Sequence, residues 1–192
     1  HVGGWLCRYL ARQGARLVVT DINPERAAGV ASRLGALQVE PEDIYSQECD
    51  VFAPCALGAV LNEQTIPQLG CAIVAGAANN VLHERKNGHS LHERGIFYVP
   101  DYVINAGGLI CVADQLETFD PQRVRKRVDK IHETCLEVFA LADELNIVPF
   151  EAADRVAEER MRAGRGKQQS LNSPGGDGAG HITGNWAAEL SV

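Results

Sequence analysis

The sequence has no apolar run approaching the roughly 20 residues that a membrane-spanning helix needs, and no charged and apolar leader opens it. Its 18 Lys and Arg residues are scattered and the net charge is −7, so a basic surface for nucleic acid is not expected. The six cysteines are widely spaced without a C-x-x-C pair, and nothing suggests a small secreted framework. We expect a cytoplasmic protein with reduced, mostly buried thiols, and neither nucleic acid nor a membrane as partner.

Motifs for metal binding and for nucleophilic catalysis are also missing. The six histidines form no H-E-x-x-H or related ligand spacing, and Cys55 has no histidine partner at a recognisable spacing. We therefore assign no metal site. What the sequence does contain is enough apolar residues, 45% of the chain, to bury a real core.

Short apolar segments alternate with helical patterns through the first 120 residues. Pro24 and Gly35 stand where a helix is expected to begin and end, shortly after an apolar strand that stops at Asp21. Three further apolar runs, each closed by Pro or Gly, are typical of parallel strands buried on both faces; they are "DVFAP", "CAIVAG" and "IFYVP". The pattern predicts an α/β fold with an open, doubly wound parallel sheet.

The opening "HVGG" can be the end of a G-x-G-x-x-G fingerprint, with Gly3 as its third glycine and Asp21 as the ribose acid about 20 residues further on. The first helix would then direct its N-terminal amides at a pyrophosphate, and the first strand of a Rossmann-like sheet would precede His1. A carboxylate repels a 2′-phosphate and no Lys or Arg follows at once, so NAD is favoured over NADP. The alternative is that Asp21 is a helix cap or a methyltransferase-type strand end.

Small residues and amides follow three of the predicted strands, at the edge where open α/β sheets bind ligands. In "VAGAANN", Asn79 or Asn80 can offer a donor and an acceptor to ribose or nicotinamide, or can simply form a turn. In "VPDYVINAGG", Asn105 can hold the nicotinamide carboxamide, or the polar residues can cap the next helix. "VFAPCALG" either lets backbone approach a cofactor or forms a tight turn.

Taken together, "CDVFAPCALGAVLN", "AGAANN" and "RGIFYVPDYVINAGGLICVAD" closely resemble the Glu/Leu/Phe/Val amino-acid dehydrogenases, and within them the enzymes acting on leucine, over roughly residues 1–163. The resemblance implies a homo-oligomer of two-domain subunits that carries out NAD-linked oxidative deamination of an L-amino acid to a 2-oxo acid and ammonia. Leucine is the first expected substrate, before valine and isoleucine. A phenylalanine dehydrogenase and a non-catalytic nucleotide-binding module remain the alternatives.

The resemblance also implies roles for individual residues. Those expected to bind the cofactor are Val2, Gly3, Asp21, Cys55, Ala56, Leu57, Ala78, Asn80 and Asn105. Ala106 and Leu109 are expected to face the substrate side chain. The catalytic groups of the family, two lysines and an aspartate, belong to an N-terminal domain, so we assign no catalytic residue here and expect this chain alone to be inactive.

Three regions follow from these patterns. Residues 1–120 are expected to form a partial, Rossmann-like NAD-binding domain that lacks its first strand. An amphipathic stripe from Pro121, interrupted at Pro149, predicts two helices over residues 121–163 that complete this domain and its hinge. Residues 164–192 are rich in Gly, Ser, Asn and Gln without apolar periodicity, and we expect a disordered tail.

Overall fold

The computed structural model describes residues 2–116 and 118–171, and these form five short strands and seven α-helices. The strands are β1 Val18–Val19, β2 Leu37–Gln38, β3 Glu48–Phe52, β4 Gly70–Val74 and β5 Phe97–Tyr98. The helices are α1 Val2–Arg12, α2 Pro24–Leu34, α3 Lys86–Glu93, α4 Asp101–Ile104, α5 Gly107–Gln115, α6 Pro121–Leu145 and α7 Pro149–Leu171. The predicted alternation of strands and helices followed by two long helices is confirmed.

The strands form two parallel sheets, where the sequence predicted one open sheet. One sheet pairs β1 with β2, and the other has the order β3-β4-β5. The sheets are separate because, within the described residues, β1 and β3 do not pair with each other and no other strand lies between them and pairs with both. Burial on both faces is also wrong in part, since Val51 is 46% and Phe97 39% exposed. Phe97 packs its ring edge against Phe139 of α6, with centroids 4.9 Å apart.

The helix boundaries follow the local signals in the sequence. The side chain of Asn23 caps α2 by accepting from two backbone amides, and Gly35 ends the helix in the left-handed conformation at φ 67°. Asp120 caps α6 in the same way, and Asn146 ends it at φ 50°. Pro149 begins α7. These start and stop residues explain why the helical segments could be predicted closely.

The apolar core lies in two clusters within residues 1–156. The larger cluster is formed around the three-stranded sheet by residues such as Leu61, Val74, Leu91, Tyr98 and Phe150. The smaller cluster joins α6 to the first turns of α7 and is formed by Val138, Ala142, Ala152, Ala153 and Val156. The core thus holds the carboxyl ends of β4 and β5 in place for the loops that follow them.

The six cysteines are free, but the expectation that most are buried is wrong. Only Cys135 is buried, and the other five are half-buried. Four of these five lie on helices or strands, and Cys55 lies in the loop after β3. Cys49 and Cys71 are register partners on β3 and β4.

The chain divides into two units, His1–Val156 and Ala157–Val192. In the second unit α7 continues to Leu171, past the predicted start of the tail at residue 164, and an Arg162–Glu158 ion pair lies on it. The rest of the predicted tail, residues 172–192, lies outside the described residues. None of the helices within residues 2–116 and 118–171 has the length and apolar character needed to cross a membrane.

Candidate functional site at the carboxyl ends of the strands

The loops after β3, β4 and β5 leave the same edge of the three-stranded sheet, because the three strands are parallel. They overlap the three segments that the sequence singled out, residues 51–58, 74–80 and 99–108. Their contacts with one another decide which predicted residues come together.

The first two loops touch backbone to backbone at Gly76. A Cβ placed on Gly76 would lie 2.1 Å from the carbonyl oxygen of Pro54 and 2.6 Å from its nitrogen. The amide of Ala78 donates to that same carbonyl oxygen over 3.0 Å. The small residues of "VAGAANN" were expected to leave room for a ligand, but the room at Gly76 is filled by Pro54.

A second contact joins residues 58–61 to residues 79–83. The amide of Ala59 donates to the carbonyl oxygen of Asn80 over 2.7 Å, and the amide of Leu61 donates to Val81 over 2.9 Å. A Cβ on Gly58 would lie 2.8 Å from the carbonyl oxygens of both Asn79 and Asn80. The loop after β3, which includes the predicted cofactor-binding residues Cys55, Ala56 and Leu57, is therefore hydrogen-bonded directly to the loop after β4.

Asn105 completes the cluster from the third loop. Its side-chain nitrogen donates to the carbonyl oxygen of Ala78 over 3.2 Å and to Oδ1 of Asn79 over 2.6 Å. The side chain of Ala78 is buried in the core, so only its backbone faces this group. The structure thus joins Asn105 to Ala78 and to Asn79, one of the two asparagines that the sequence offered, while Asn80 follows Asn79 in the chain.

Helix α1 approaches the same edge through its first turn. A Cβ on Gly3 would lie 3.1 Å from Cβ of Cys55, so a larger residue at position 3 would press on the loop after β3. Burial and, second, the neighbouring Cys55 raise the pKa of the Cys7 thiol. Val2 is exposed and α1 has no acidic residue in its first turn, where unpaired backbone amides favour an anion.

Asp21 follows β1, which belongs to the other sheet. Its Oδ1 accepts from the amide of Asn23 over 2.9 Å, while Asn23 itself caps α2, so Asp21 is not the helix cap. The hydroxyl of the preceding Thr20 is buried without a hydrogen-bond partner in the described part of the chain. No described hydrogen bond connects Asp21 to the loops after β3, β4 and β5.

The predicted substrate-side residues lie next to the cluster, at the start of α5. Ala106 precedes this helix and is half-buried, and Leu109 is 73% exposed. Val112 and Leu116 continue an exposed apolar stripe along the same helix face. A cavity of about 310 Å³ lies elsewhere, between Asp120 and Lys130 on α6.

Asp101 is one of the polar residues of "VPDYVINAGG", and it connects two of the site loops. Its Oδ2 accepts from the amide of Val81 over 2.8 Å. The signal was present, since a carboxylate within "YVPDYVI" must find a partner, but the sequence could not name a partner 20 residues away. In the described residues no group of three or more His, Cys, Asp or Glu side chains could hold a metal ion.

The parallel strands and the amide groups in the loops at their carboxyl ends place this chain among the α/β proteins. Such proteins bind small ligands at this edge of the sheet. The chain belongs to the Glutamate/Leucine/Phenylalanine/Valine dehydrogenase family, whose family model matches residues 13–164. It is therefore related to oxidoreductases that act on amino acids, and the resemblance inferred from the sequence is confirmed.

Leucine dehydrogenase from Geobacillus stearothermophilus is 51% identical over 160 residues, which are 83% of this chain and 44% of that protein. The crystal structure of L-tryptophan dehydrogenase from Nostoc punctiforme superposes with a TM-score of 0.80 at 45% identity, covering 82% of this chain and 48% of that one. A hetero-hexameric glutamate dehydrogenase from Thermus thermophilus shares the fold, with a TM-score of 0.64 at 22% identity. The chain thus spans less than half the length of these relatives.

Proposed function

We propose that this chain supplies the NAD-binding part of an L-amino-acid dehydrogenase. The reaction is the oxidative deamination of a branched-chain amino acid, leucine before valine and isoleucine, to its 2-oxo acid and ammonia. The observation that carries the proposal is the hydrogen-bonded cluster of Ala78, Asn79 and Asn105 at the carboxyl edge of the sheet, next to Asn80. The identity of 51% with a leucine dehydrogenase supports the choice of leucine.

The two sheets are proposed to be the halves of one Rossmann-like doubly wound sheet. Each of β1 and β3 pairs on one side only within the described residues, so a further parallel strand between them would give the order β2, β1, new strand, β3, β4, β5. This position is the switch point at which such sheets bind dinucleotides. The unpaired hydroxyl of Thr20, next to β1, is consistent with a missing neighbour there. Residues 1–120 would form this partial domain and residues 121–163 its completing helices and hinge.

The residues present fit a bound NAD. The first-turn amides of α1, at Val2 and Gly3, would take the pyrophosphate, and Asp21, which uses Oδ1 for the Asn23 amide, would accept from ribose hydroxyls through Oδ2. The segment Cys55, Ala56 and Leu57 would lie along the adenosine, while Ala78, Asn80 and Asn105 would face the nicotinamide. NAD supplies the hydride acceptor when bound. Asp21 would disfavour the 2′-phosphate of NADP.

Ala106 and Leu109 would contribute to the side-chain pocket of the substrate. Leu109 is exposed in this chain, so the pocket would need a second wall from elsewhere in the protein. We also propose a homo-oligomer and a cytoplasmic location, the latter on the basis of the six free thiols.

The substrate proposal is tested by kinetics of the natural gene product at its full length, with NAD and with leucine, valine, isoleucine or phenylalanine. We expect the highest kcat/KM with leucine, and only about 10-fold to 100-fold discrimination among the aliphatic substrates, because one methylene in an apolar pocket contributes about 1–3 kcal/mol. A preference for phenylalanine would contradict the choice of leucine. NAD binding without turnover of any amino acid would favour the non-catalytic module.

An aromatic amino acid is the second candidate substrate. It is favoured by the similarity to L-tryptophan dehydrogenase, which extends over 82% of this chain with a TM-score of 0.80. The same kinetic series with tryptophan and phenylalanine decides between the two candidates.

A further inference from the structure

We propose that Asp101 is a positioning residue that holds Asn80 and Asn105 in the orientation needed to receive the nicotinamide. The inference rests on the proposed function, because it assigns a role within the same site. Asp101 does not reach the proposed cofactor itself; it acts through backbone groups of two loops.

The carboxylate of Asp101 is buried, with the residue 8% exposed, and no described ion pair includes it. Instead, its Oδ2 accepts from the amide of Val81 over 2.8 Å and its Oδ1 from the amide of Tyr102 over 2.7 Å. The Asp101 amide donates to the hydroxyl of Tyr98 over 3.2 Å. A buried carboxylate without a cation depends on such N–H donors, so its position is tightly constrained.

The bond to Val81 fixes the peptide that connects Asn80 to Val81. That peptide is held at both ends, because its N–H donates to Asp101 and its carbonyl oxygen accepts from Ala59 over 2.7 Å. Asn80 is in the left-handed region at φ 51°, which asparagine adopts more readily than most residues, and the two hydrogen bonds hold it there. Loss of the Asp101 bond would free the backbone dihedrals beside this peptide, so Asp101 helps to fix the backbone that carries the Asn80 side chain.

Asp101 also contacts Asn105, through its backbone. Asp101 is the first residue of α4, and its carbonyl oxygen accepts from the amide of Asn105 over 2.9 Å at the end of this single-turn helix. The Asn105 side chain then reaches back to Ala78 and Asn79. Asp101 thus contacts the Asn80–Val81 peptide through its carboxylate and Asn105 through its backbone carbonyl oxygen, and the carboxylate also holds the start of α4 at the Tyr102 amide. Both carboxylate oxygens must therefore be acceptors.

An asparagine at position 101 has the same shape but cannot make both bonds. Whichever way the new amide is turned, its NH₂ group faces a backbone N–H, and one donor loses its partner. Asp101→Asn should therefore loosen either the Asn80 peptide or the start of α4. We expect NADH to bind roughly 10-fold more weakly to this variant.

The test compares NADH with ADP-ribose, which lacks only the nicotinamide, in the natural gene product at full length. A positioning role predicts that Asp101→Asn weakens NADH but changes ADP-ribose affinity by less than about twofold. Asp114→Asn is the matched control, because Asp114 is also a buried carboxylate that accepts from a backbone amide, but it lies in α5 and pairs with Arg123. It should leave the ratio of the two affinities unchanged.

A double variant supplies a second readout. If Asp101 acts through Asn105, Asp101→Asn should weaken NADH less in an Asn105→Ala background than in the unaltered protein. Should Asp101→Asn fail to fold, Asp101→Ser, which fits the space and keeps one acceptor, takes its place in both comparisons.

Equal weakening of NADH and ADP-ribose, or no change in either, would overturn the positioning role while leaving the proposed function intact. If the unaltered protein binds no NADH, or binds NADH no better than ADP-ribose, the proposed nicotinamide site itself is wrong and the role of Asp101 with it. A selective loss of NADH that depends on Asn105 is the result we expect.

Discussion

Gly76 shows how strongly a single residue determines the geometry of the site edge. The backbone of Pro54 occupies the space that any side chain at position 76 would need, with its carbonyl oxygen 2.1 Å from a Cβ placed there. Because both partners are backbone groups and Pro54 is buried, neither can move aside without disturbing the loops after β3 and β4. Gly76→Ala is therefore expected to cost about 1–3 kcal/mol of unfolding free energy.

Gly108→Ala is the control for this prediction. Gly108 lies inside α5 with nothing within 4 Å of a Cβ, so alanine there should stabilise the protein by up to about 1 kcal/mol. Urea denaturation of both variants measures the difference. Equal stability of Gly76→Ala and the unaltered protein would mean that the two loops do not touch as described.

At the scale of single residues, the sequence indicated which segments lie at this edge of the sheet but not the contacts between them. Small residues and asparagines after apolar strands predicted Ala78, Asn80 and Asn105 as neighbours of one edge, because parallel strands end on the same side. The contact of Gly76 with Pro54 and that of Asp101 with Val81 each join residues about 20 positions apart. Such contacts depend on strand register, which local patterns in one sequence do not specify.

The connection between α5 and α6 is organised by one buried carboxylate. Asp114 in α5 accepts from Arg123 of α6 and from the amide of Asp120 over 2.8 Å, and Arg127 lies 3.7 Å away. The bond from Arg123, followed by the Asp120 amide, holds the pKa of Asp114 below its ordinary value of 3.8. The side chain is fully buried, so the carboxylate forms a buried connection between α5 and α6.

The lowered pKa of Asp114 determines whether its contribution to stability rises or falls with pH. The folded state binds the proton less readily than the unfolded chain, so Asp114 contributes stability above about pH 4 and loses that contribution as the pH falls through its folded pKa. The stability difference between the unaltered protein and Asp114→Asn should therefore be constant near neutral pH and shrink in acid. Urea midpoints across this range measure it, with the exposed Asp129 of α6 replaced by Asn as control. A difference that does not change with pH would contradict the role of the carboxylate.

At the scale of elements, the sequence predicted the ends of the helices better than it predicted how the strands pair. Pro24 with Gly35, and Pro121 with Pro149, marked helix ends that the structure confirms. Short apolar runs indicated the strands, but the sequence of one strand does not identify the strands with which it pairs. The separation of β1 and β2 from β3, β4 and β5 could therefore not be read from these residues.

The whole molecule has two partly paired sheets and an apolar stripe on α5 that is exposed to solvent. Leu109, Val112 and Leu116 lie along this stripe, and a helix of a complete domain usually covers such a face. The chain spans 44% of the leucine dehydrogenase that it matches. These features agree with the proposal that cofactor binding and catalysis are divided between this part and another.

The chemistry of deamination needs an acid and a base beside the substrate, and no described hydrogen bond or ion pair joins Lys86, Lys126 or Lys130 to the hydrogen-bonded cluster at the carboxyl edge of the sheet. Lys86 forms ion pairs with Glu63 over 2.7 Å and with Glu84 over 3.1 Å, while Lys126 and Lys130 line the cavity on α6. A general base must come within hydrogen-bond reach of the proton that it removes, and hydride transfer needs both reactants held in near-attack geometry.

We therefore predict that the 192 residues expressed alone bind NADH but form none from NAD and leucine. Binding, followed by NADH fluorescence, is the control that the preparation is folded, and the natural gene product at full length should turn over under the same conditions. The expected loss is complete rather than partial, because positioning and acid-base groups together account for many powers of ten in rate. Leucine-dependent NADH formation by the 192 residues alone would place the catalytic groups within this chain, and Lys126 and Lys130 would then be the first residues to replace.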